Sequence, residues 1–216
     1  MSGPSFVPPP PGPPVLQPPS FAGYAGTPGQ LEGVGFWPRA GARLIDLVFH
    51  FFVSIAAGLV MGIGLAIYAS VSGQSIQPWL VKIGHNGWLA YVFAALGSVA
   101  SNTICESLHG STLGKLLLSM VVVKEDGSPC TLDSAVIRNL AYFLDAFFFG
   151  MVGYMAMQKS PQQQRYGDQW AHTIVCKRAL VSPQNLRSGG RFAVALLFGA
   201  FMDAVFLGIG WLTNLA

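Results

Sequence analysis

The sequence predicts an all-α membrane protein in which three or four apolar helical segments carry a small extramembrane β-ribbon. Only 10% of the 216 residues are charged, against about 25% in soluble domains, and the mean hydropathy is +0.50. Apolar residues also gather in four long runs, separated by short polar segments. This composition excludes an ordinary soluble enzyme and makes the lipid bilayer the first expected partner.

Residues 1–35 form a proline-rich tail. They hold ten of the fifteen prolines and one charged residue, Glu32, so we expect a disordered or polyproline II segment. No basic region and no apolar stretch follow Met1, which argues against a signal peptide. The tail could bind an aromatic-lined groove of a partner, or it could be a plain spacer. The lack of Lys or Arg beside the prolines favours the spacer.

The four apolar runs follow at 44–71, 88–108, 135–157 and 192–212. The first has 28 residues, enough at about 1.5 Å per residue to cross a hydrocarbon core of about 30 Å. Gly58 and Gly62 form a GxxxG pair within it, and Gly208 and Gly210 lie in the last run. Such small residues favour helix contacts within a chain or between chains. We therefore divide the chain into a tail (1–35), a transmembrane domain (36–180), and a linker with an additional C-terminal transmembrane helix (181–216).

Two short β-branched segments lie between these runs. MVVVK at 120–124 precedes a turn signal at Asp126-Gly127, and HTIVCKR occupies 172–178. Two short strands have little stability apart, so we expect them to pair into an extramembrane ribbon on one side of the membrane.

The distribution of Lys and Arg along the chain helps to decide whether the third apolar run crosses the membrane. If all four runs cross, Lys and Arg divide between both sides without a positive-inside bias. If the third run enters and returns on one side, every Lys and Arg except Lys82 is cytoplasmic. A break near 149–153 would allow this re-entrant path, and a conventional third span remains the alternative.

Three cysteines, Cys105, Cys130 and Cys176, show neither a CxxC motif nor metal-ligand spacing to histidine. We expect reduced thiols. A bridge between Cys130 and Cys176 is the alternative if the strands pair in an oxidising compartment.

Ionisable residues inside the first run form a polar seam. Arg39, Asp46 and His50 are spaced by seven and four residues, so all three fall on one helical face. An intramembrane carboxylate costs several kcal/mol unless it is paired, protonated or hydrated. Asp46 is thus a candidate for proton exchange, and an architectural ion pair with Arg39, Arg43 or another buried arginine is the alternative.

A second motif follows the third run. QQQRYGDQWAHTIV contains a spaced set at Arg165, Gly167, Asp168, Ala171 and Thr173. Further positions fit the same pattern: Thr112, Gly114, Lys115, Gly127, Arg138 and Asp145. With Arg39 and Asp46, these residues make the chain resemble the RDD family of membrane proteins over about residues 34–178. The tail and the last apolar run lie outside that region, and His50 is not part of the family pattern.

The resemblance implies a small multispanning membrane domain with proposed transport of an undefined ligand, and sodium/proton exchange in some members. It also implies that the named family positions are Arg39, Asp46 and Asp168, which form our candidate ion or proton site. Asp168 follows a polar stretch, so capping or pairing with Arg165 or Arg138 is an equally good interpretation.

The remaining candidates are secondary. Glu106 and His109 could form a polar face with Asn102 that meets Asp46 and His50, or a hydrophilic fringe at a helix end, which we favour. Thr112 is expected to cap a short interfacial helix, with Lys115 snorkelling to lipid headgroups. Asp145 and Asp203 should face protein or water. The complete secondary set is His50, Glu106, Arg138, Asp145 and Arg165.

These observations favour proton-coupled transport of a solute or a cation, with sodium as one candidate. The protein would be integral to a bacterial inner membrane, with a cytoplasmic N-terminus. A membrane scaffold or assembly factor that recruits partners through its tail and basic face is the alternative. Four short runs cannot enclose a wide path, so a homo-oligomer is expected. No nucleophile with an oriented base, no metal site, no cofactor and no nucleic-acid partner is expected.

Overall fold

The computed structural model describes residues 31–78, 81 and 88–213. Most of the proline-rich tail and Lys82 lie outside the described residues. In chain order the elements are α1 (Phe36–Ser72), α2 (Trp88–Leu108), α3 (Leu113–Leu117), β1 (Met120–Lys124), α4 (Leu132–Asp145), α5 (Phe147–Lys159), α6 (Tyr166–Trp170), β2 (Thr173–Lys177) and α7 (Gly189–Leu212), with 3₁₀ turns at Arg178–Leu180 and Pro183–Asn185.

Three of the predicted spans are confirmed as long apolar helices. α1, α2 and the helical stretch Pro183–Leu212, which contains α7, are each long and apolar enough to cross a membrane. Large apolar side chains of α1, such as Leu44, Phe51 and Leu59, are more than half exposed. Such a surface is suited to lipid rather than to water.

Small residues bring α2 and α7 together as antiparallel neighbours. A Cβ added to Gly199 would lie 2.9 Å from the Ser101 hydroxyl, and one added to Gly210 would lie 3.2 Å from the Ala90 Cα. Glycine at these positions lets the backbones approach closely. Of the predicted pair in α1, Gly58 meets the Trp211 ring, whereas Gly62 has open space around it.

The predicted β-ribbon is confirmed. β1 and β2 are antiparallel, with Met120 opposite Lys177 and Lys124 opposite Thr173. The backbone of Val34 adds a hydrogen bond of 2.7 Å to the Val175 carbonyl. The predicted turn also forms, since Gly127 has φ +80° and its N–H donates to the Lys124 carbonyl. The ribbon packs into a small core that buries Met120, Val122 and Val175.

The cysteine thiols take no part in cross-linking. Cys105, Cys130 and Cys176 are all buried and free. The alternative of a bridge between Cys130 and Cys176 is therefore wrong in this fold. Burial raises the pKa of Cys130 and of Cys176 to about 11, so both stay protonated at neutral pH.

The third apolar run is a bent helix pair rather than one straight helix. α4 ends at Asp145 and α5 begins at Phe147, and the chain turns by 113° between Leu132–Asp145 and Gly150–Lys159. Phe148 and Gly150 have positive φ angles, so the break lies between Asp145 and Gly150 and overlaps the start of the predicted range 149–153. Because β1 and β2 on either side of this pair are hydrogen-bonded to each other, the chain leaves the ribbon at Lys124 and comes back to it at Thr173.

Candidate functional site

A cluster of buried charges forms where several elements end next to the ribbon. Arg39 lies in the second turn of α1, Glu106 near the end of α2 and Asp168 in α6. Their side chains are 8%, 0% and 0% exposed. Arg39 and Asp168 are in contact although they are 129 positions apart in the sequence. Tertiary packing, rather than local sequence, therefore brings Arg39 and Asp168 together.

Arg39 makes three interactions at once. Its guanidinium forms an ion pair with Asp168, and it donates hydrogen bonds of 2.8 Å to the carbonyls of Val34 and Gln163. An arginine whose fork is occupied in this way fixes the start of α1 against the loop before α6.

Arg138 of α4 is the centre of the cluster. Its side chain is fully buried, with Nε 3.1 Å from Glu106 Oε2 and Nη2 3.3 Å from Asp168 Oδ1. A further contact of 3.4 Å joins it to the Thr173 hydroxyl. One guanidinium thus connects α2, α4, α6 and the start of β2. Its positive charge offsets the cost of burying the carboxylates of Glu106 and Asp168.

Glu106 is an interior residue, so the expectation of a hydrophilic fringe is wrong. Besides Arg138, it pairs with Lys115 and accepts a 2.9 Å hydrogen bond from Asn139. The expected snorkelling of Lys115 is also wrong, because its side chain is only 14% exposed and points to Glu106. Burial and the charge of Arg138 lower the pKa of Lys115, although Glu106 opposes this.

Asp168 is surrounded by three arginines. Burial by itself would raise the pKa of Asp168, but the charges of Arg138, Arg165 and Arg39 together hold it well below the usual range. It also accepts a hydrogen bond of 3.2 Å from the Arg165 backbone N–H. The predicted pairing and capping of Asp168 are therefore both present, and its carboxylate stays ionised at neutral pH.

The carboxylate of Asp46 joins α1 to the start of α3 by hydrogen bonds. It accepts hydrogen bonds of 2.7 Å from the Thr112 hydroxyl and from the Gly114 backbone N–H. Gly114 is required there, since a Cβ would collide with the Ala42 carbonyl oxygen. The predicted Thr112 cap of α3 is present, so Asp46 connects this short helix to α1. Among the described residues Asp46 has no ion pair, so the alternative of an architectural ion pair with an arginine is wrong.

His50 finds its partner on the last helix. Its Nδ1 lies 2.6 Å from Asp203 Oδ2, and the two side chains are 11% and 3% exposed. His50 therefore does not join Asn102 and Glu106, and the polar face imagined from those residues and Asp46 does not form through any described contact. Asp203 was recognised in the sequence as a lone carboxylate in an apolar run, but its partner is 153 positions away.

His109, next to the end of α2, is 2% exposed. Its Nε2 lies 3.3 Å from Arg178 Nη1, and its ring lies 5.0 Å from that of Phe192. Burial and the charge of Arg178 lower the pKa of His109. This histidine is a neutral packing residue rather than part of a fringe.

Two cavities lie beside this framework. One, of about 390 Å³, is bounded by α1, α4 and α5 and is lined by Arg39, Arg43, Asp46, Lys115, Tyr142, Asp145 and Arg165 together with apolar side chains. The other, of about 380 Å³, contains His50, Ser54, Ser98 and Asp203. Arg43, Leu47 and Tyr142 line both, so the two cavities are neighbours.

Two side chains of the larger cavity, Asp145 and Arg165, have buried polar atoms that form no hydrogen bond with the described residues. Asp145 accepts a weak hydrogen bond of 3.4 Å from the Gly167 N–H through Oδ2. Its other carboxylate oxygen is buried without a hydrogen bond to any residue in the described ranges, as is Nε of Arg165. The two groups are 3.9 Å apart, too far for a hydrogen bond.

Two residues of this region, Tyr142 and Asn139, had no role assigned from the sequence, and Arg43 was named only as a possible ion-pair partner of Asp46. Arg43 is a fourth position along the seam, Tyr142 lies between two predicted sites, and Asn139 follows Arg138. An ionisable residue at the membrane interface was a usable signal for Arg43. Tyr142 and Asn139 carried no distinguishing signal because their roles depend on the bend after Asp145.

A model described as the RDD family matches residues 34–172, which is more than half of the chain. No curated protein and no solved structure matches significantly. Within the described residues, no group of three or more His, Cys, Asp and Glu side chains could hold a metal ion.

Proposed function

Because this chain belongs to the RDD family of membrane proteins, we propose that it transports a cation or another small solute across a membrane in exchange for protons. The observation that carries this proposal is the pair of neighbouring cavities with their shared wall of Arg43, Leu47 and Tyr142. They lead from the charge cluster to a histidine–aspartate pair inside the apolar helices, which is the kind of ionisable group that marks ion pathways.

The proton site of this proposal is the pair of His50 and Asp203. Arg43 and Tyr142 are the other titratable groups that line its cavity. Nδ1 of His50 and Oδ2 of Asp203 are 2.6 Å apart, so one proton can be held between them. A protonated imidazole and an ionised carboxylate are together neutral, whereas loss of the proton leaves one negative charge. A cation that compensates this charge gives an exchange of one proton for one cation.

Asp46 remains a predicted second proton site. Its carboxylate lines the larger cavity, but both oxygens already accept hydrogen bonds from α3. Protonation of Asp46 would disturb that connection. We therefore assign to Asp46 the role of joining α3 to α1. Most of the proton exchange is assigned to His50 and Asp203.

We further propose a bacterial inner membrane with the ribbon and the N-terminus in the cytoplasm. A re-entrant α4–α5 pair places every Lys and Arg except Lys82 on the ribbon side, which agrees with the positive-inside rule. The proposal includes a homo-oligomer, because one copy has few helices with which to enclose a path. Mass photometry in native nanodiscs tests this: a single-copy mass contradicts it.

Flux in proteoliposomes tests the transport proposal. We would impose a pH gradient with and without sodium and compare the intact chain with Asp203→Asn, Asp46→Asn and the control Asp133→Asn. Asp133 is exposed at the start of α4. Proton flux that is lost in Asp203→Asn, weakened in Asp46→Asn and kept in Asp133→Asn supports the proposal. If the folded intact chain shows no flux with sodium or with other solutes, transport is refuted in favour of the scaffold that recruits partners.

A further inference from the structure

We infer that the larger cavity binds the carboxylate or phosphate group of an amphiphilic organic anion, between Arg43 and Arg165 and against the ring of Tyr142. This inference concerns the ligand of the cavity for which transport was proposed. It rests on that proposal only in that the bound anion would be the small solute that is transported, since binding itself needs no transport.

The first argument is the placement of two guanidinium groups around one ring. Cζ of Arg43 lies 4.6 Å and Cζ of Arg165 lies 5.6 Å from the centroid of the Tyr142 ring. All three side chains line the same cavity. Planar guanidinium groups bind carboxylate and phosphate oxygens through two parallel hydrogen bonds, which makes such a pair a natural oxyanion site.

The second argument is that these donors are largely unused. Arg43 donates one long hydrogen bond of 3.3 Å to the Ser98 hydroxyl and forms no ion pair with any residue that the structure describes. Arg165 is 3.9 Å from Asp145 and 3.6 Å from Asp168, and its guanidinium makes no hydrogen bond to the described part of the chain. Arg39, by contrast, has its fork filled by protein atoms.

The third argument is the balance of charge. In and beside the cavity, five basic side chains face four carboxylates: the bases are Arg39, Arg43, Lys115, Arg138 and Arg165, and the acids are Asp46, Glu106, Asp145 and Asp168. The surplus positive charge is that of Arg43, because Asp203, in the adjoining cavity that Arg43 also lines, is already paired with His50. A buried or half-buried cation is costly without a partner, and a monoanion in the cavity supplies it.

The remaining walls indicate what else the ligand carries. Phe36, Leu44, Leu47, Met157 and Val175 line the cavity, so an apolar chain or ring beside the anionic group would lie against apolar side chains, of which Leu44 and Leu47 are more than half exposed. A volume of about 390 Å³ is within the usual range of about 300–1,000 Å³ for small-molecule sites. Two sources have this chemistry: a small organic acid from the aqueous phase and an anionic lipid.

Calorimetric titration of the full-length chain in phosphatidylcholine nanodiscs tests the inference. The probes are hexanoate and its neutral analogue hexanamide, which share the same chain. We expect hexanoate to bind at least tenfold more tightly than hexanamide, because only the anion forms charge-assisted hydrogen bonds. Arg43→Gln should weaken hexanoate binding about tenfold or more, and the control Lys177→Gln, at an exposed position on β2, should change it less than twofold.

A second arm examines the lipid source. Native mass spectrometry of protein released from mixed phosphatidylcholine and phosphatidylglycerol nanodiscs should show retained phosphatidylglycerol that Arg43→Gln loses if the ligand is a lipid. If Arg43→Gln does not fold, Arg43→Lys keeps the charge and removes the fork, and weaker binding of the anion is again expected. Binding of either anion that depends on Arg43 supports the inference even if no flux is found. Equal binding of hexanoate and hexanamide without Arg43-dependent lipid retention, or no binding of either anion, overturns it.

Discussion

Replacing Arg138 by methionine removes the charge at the centre of the cluster while keeping an unbranched apolar side chain. Glu106 and Asp168 each lose a buried partner, at 3.1 and 3.3 Å from the guanidinium. Removing one member of a buried ion pair typically costs about 3–5 kcal/mol. Glu106 keeps Lys115, and Asp168 keeps Arg39 and Arg165, so we expect the lower end, about 3 kcal/mol.

Thermal unfolding in detergent measures this loss. For a chain of about this size, 1 kcal/mol corresponds to about 2–4 °C in Tm, so Arg138→Met should unfold about 6–12 °C below the intact protein. Near-UV circular dichroism is a suitable signal because it reports side-chain packing. Arg191→Met is the matched control, since Arg191 is exposed in the first turn of α7 and surface changes usually stay within about 0.5 kcal/mol.

A double variant tests the reason for the loss. In Arg138→Met with Glu106→Gln, the carboxylate left without its guanidinium is neutral. The double variant should therefore lose less stability than the sum of the two single changes, although Lys115 also loses its partner. The reasoning is refuted if Arg138→Met lowers Tm by less than about 2 °C, or if the double variant is less stable than the sum of the two single changes predicts. Either result would mean that the cluster does not hold these helices together.

Three further predictions concern the ribbon side. Since the pKa of Asp168 is lower in the folded chain than its ordinary value of 3.8, its ionised form stabilises the fold above that pH. Stability should fall as the pH drops from about 5 towards 2, and a Tm series should show a smaller fall in Asp168→Asn; equal slopes would contradict this. Cys130 and Cys176 should resist maleimide at neutral pH until the chain unfolds, because they are buried with raised pKa values; rapid labelling of folded protein would count against the buried ribbon. Lys124→Cys and Lys177→Cys should be labelled by an impermeant reagent from the same side of the membrane, and opposite sides would rule out the paired strands.

The local features of the chain were predictable from the sequence. Apolar runs marked three helices that could cross a membrane, and β-branched residues with Asp126-Gly127 marked the ribbon and its turn. Thr112 marked the start of a short helix. These predictions succeed because hydrophobic periodicity, β-propensity and capping depend on residues a few positions apart.

The direction of the polar side chains was only partly predictable. Lys115 was expected at the headgroups and Glu106 at a hydrophilic fringe, yet the two pair in the interior. A charged residue at the end of an apolar run has the same local sequence whether it faces lipid headgroups or a partner. The choice depends on whether Arg138 and Asn139 arrive at the same place, which the folding of α4 determines.

Composition, hydropathy and motif spacing were enough to identify a membrane protein of the RDD family, with apolar helices, a paired ribbon and ionisable residues in or beside the apolar runs. Which charges meet depends on the packed helices: Arg39 meets Asp168 across 129 positions, and His50 meets Asp203 across 153. Burial requires every charge to have a partner, but it does not specify which one. That choice follows from the bend after Asp145 and from the close approach of α2 and α7, both of which are properties of the packed chain.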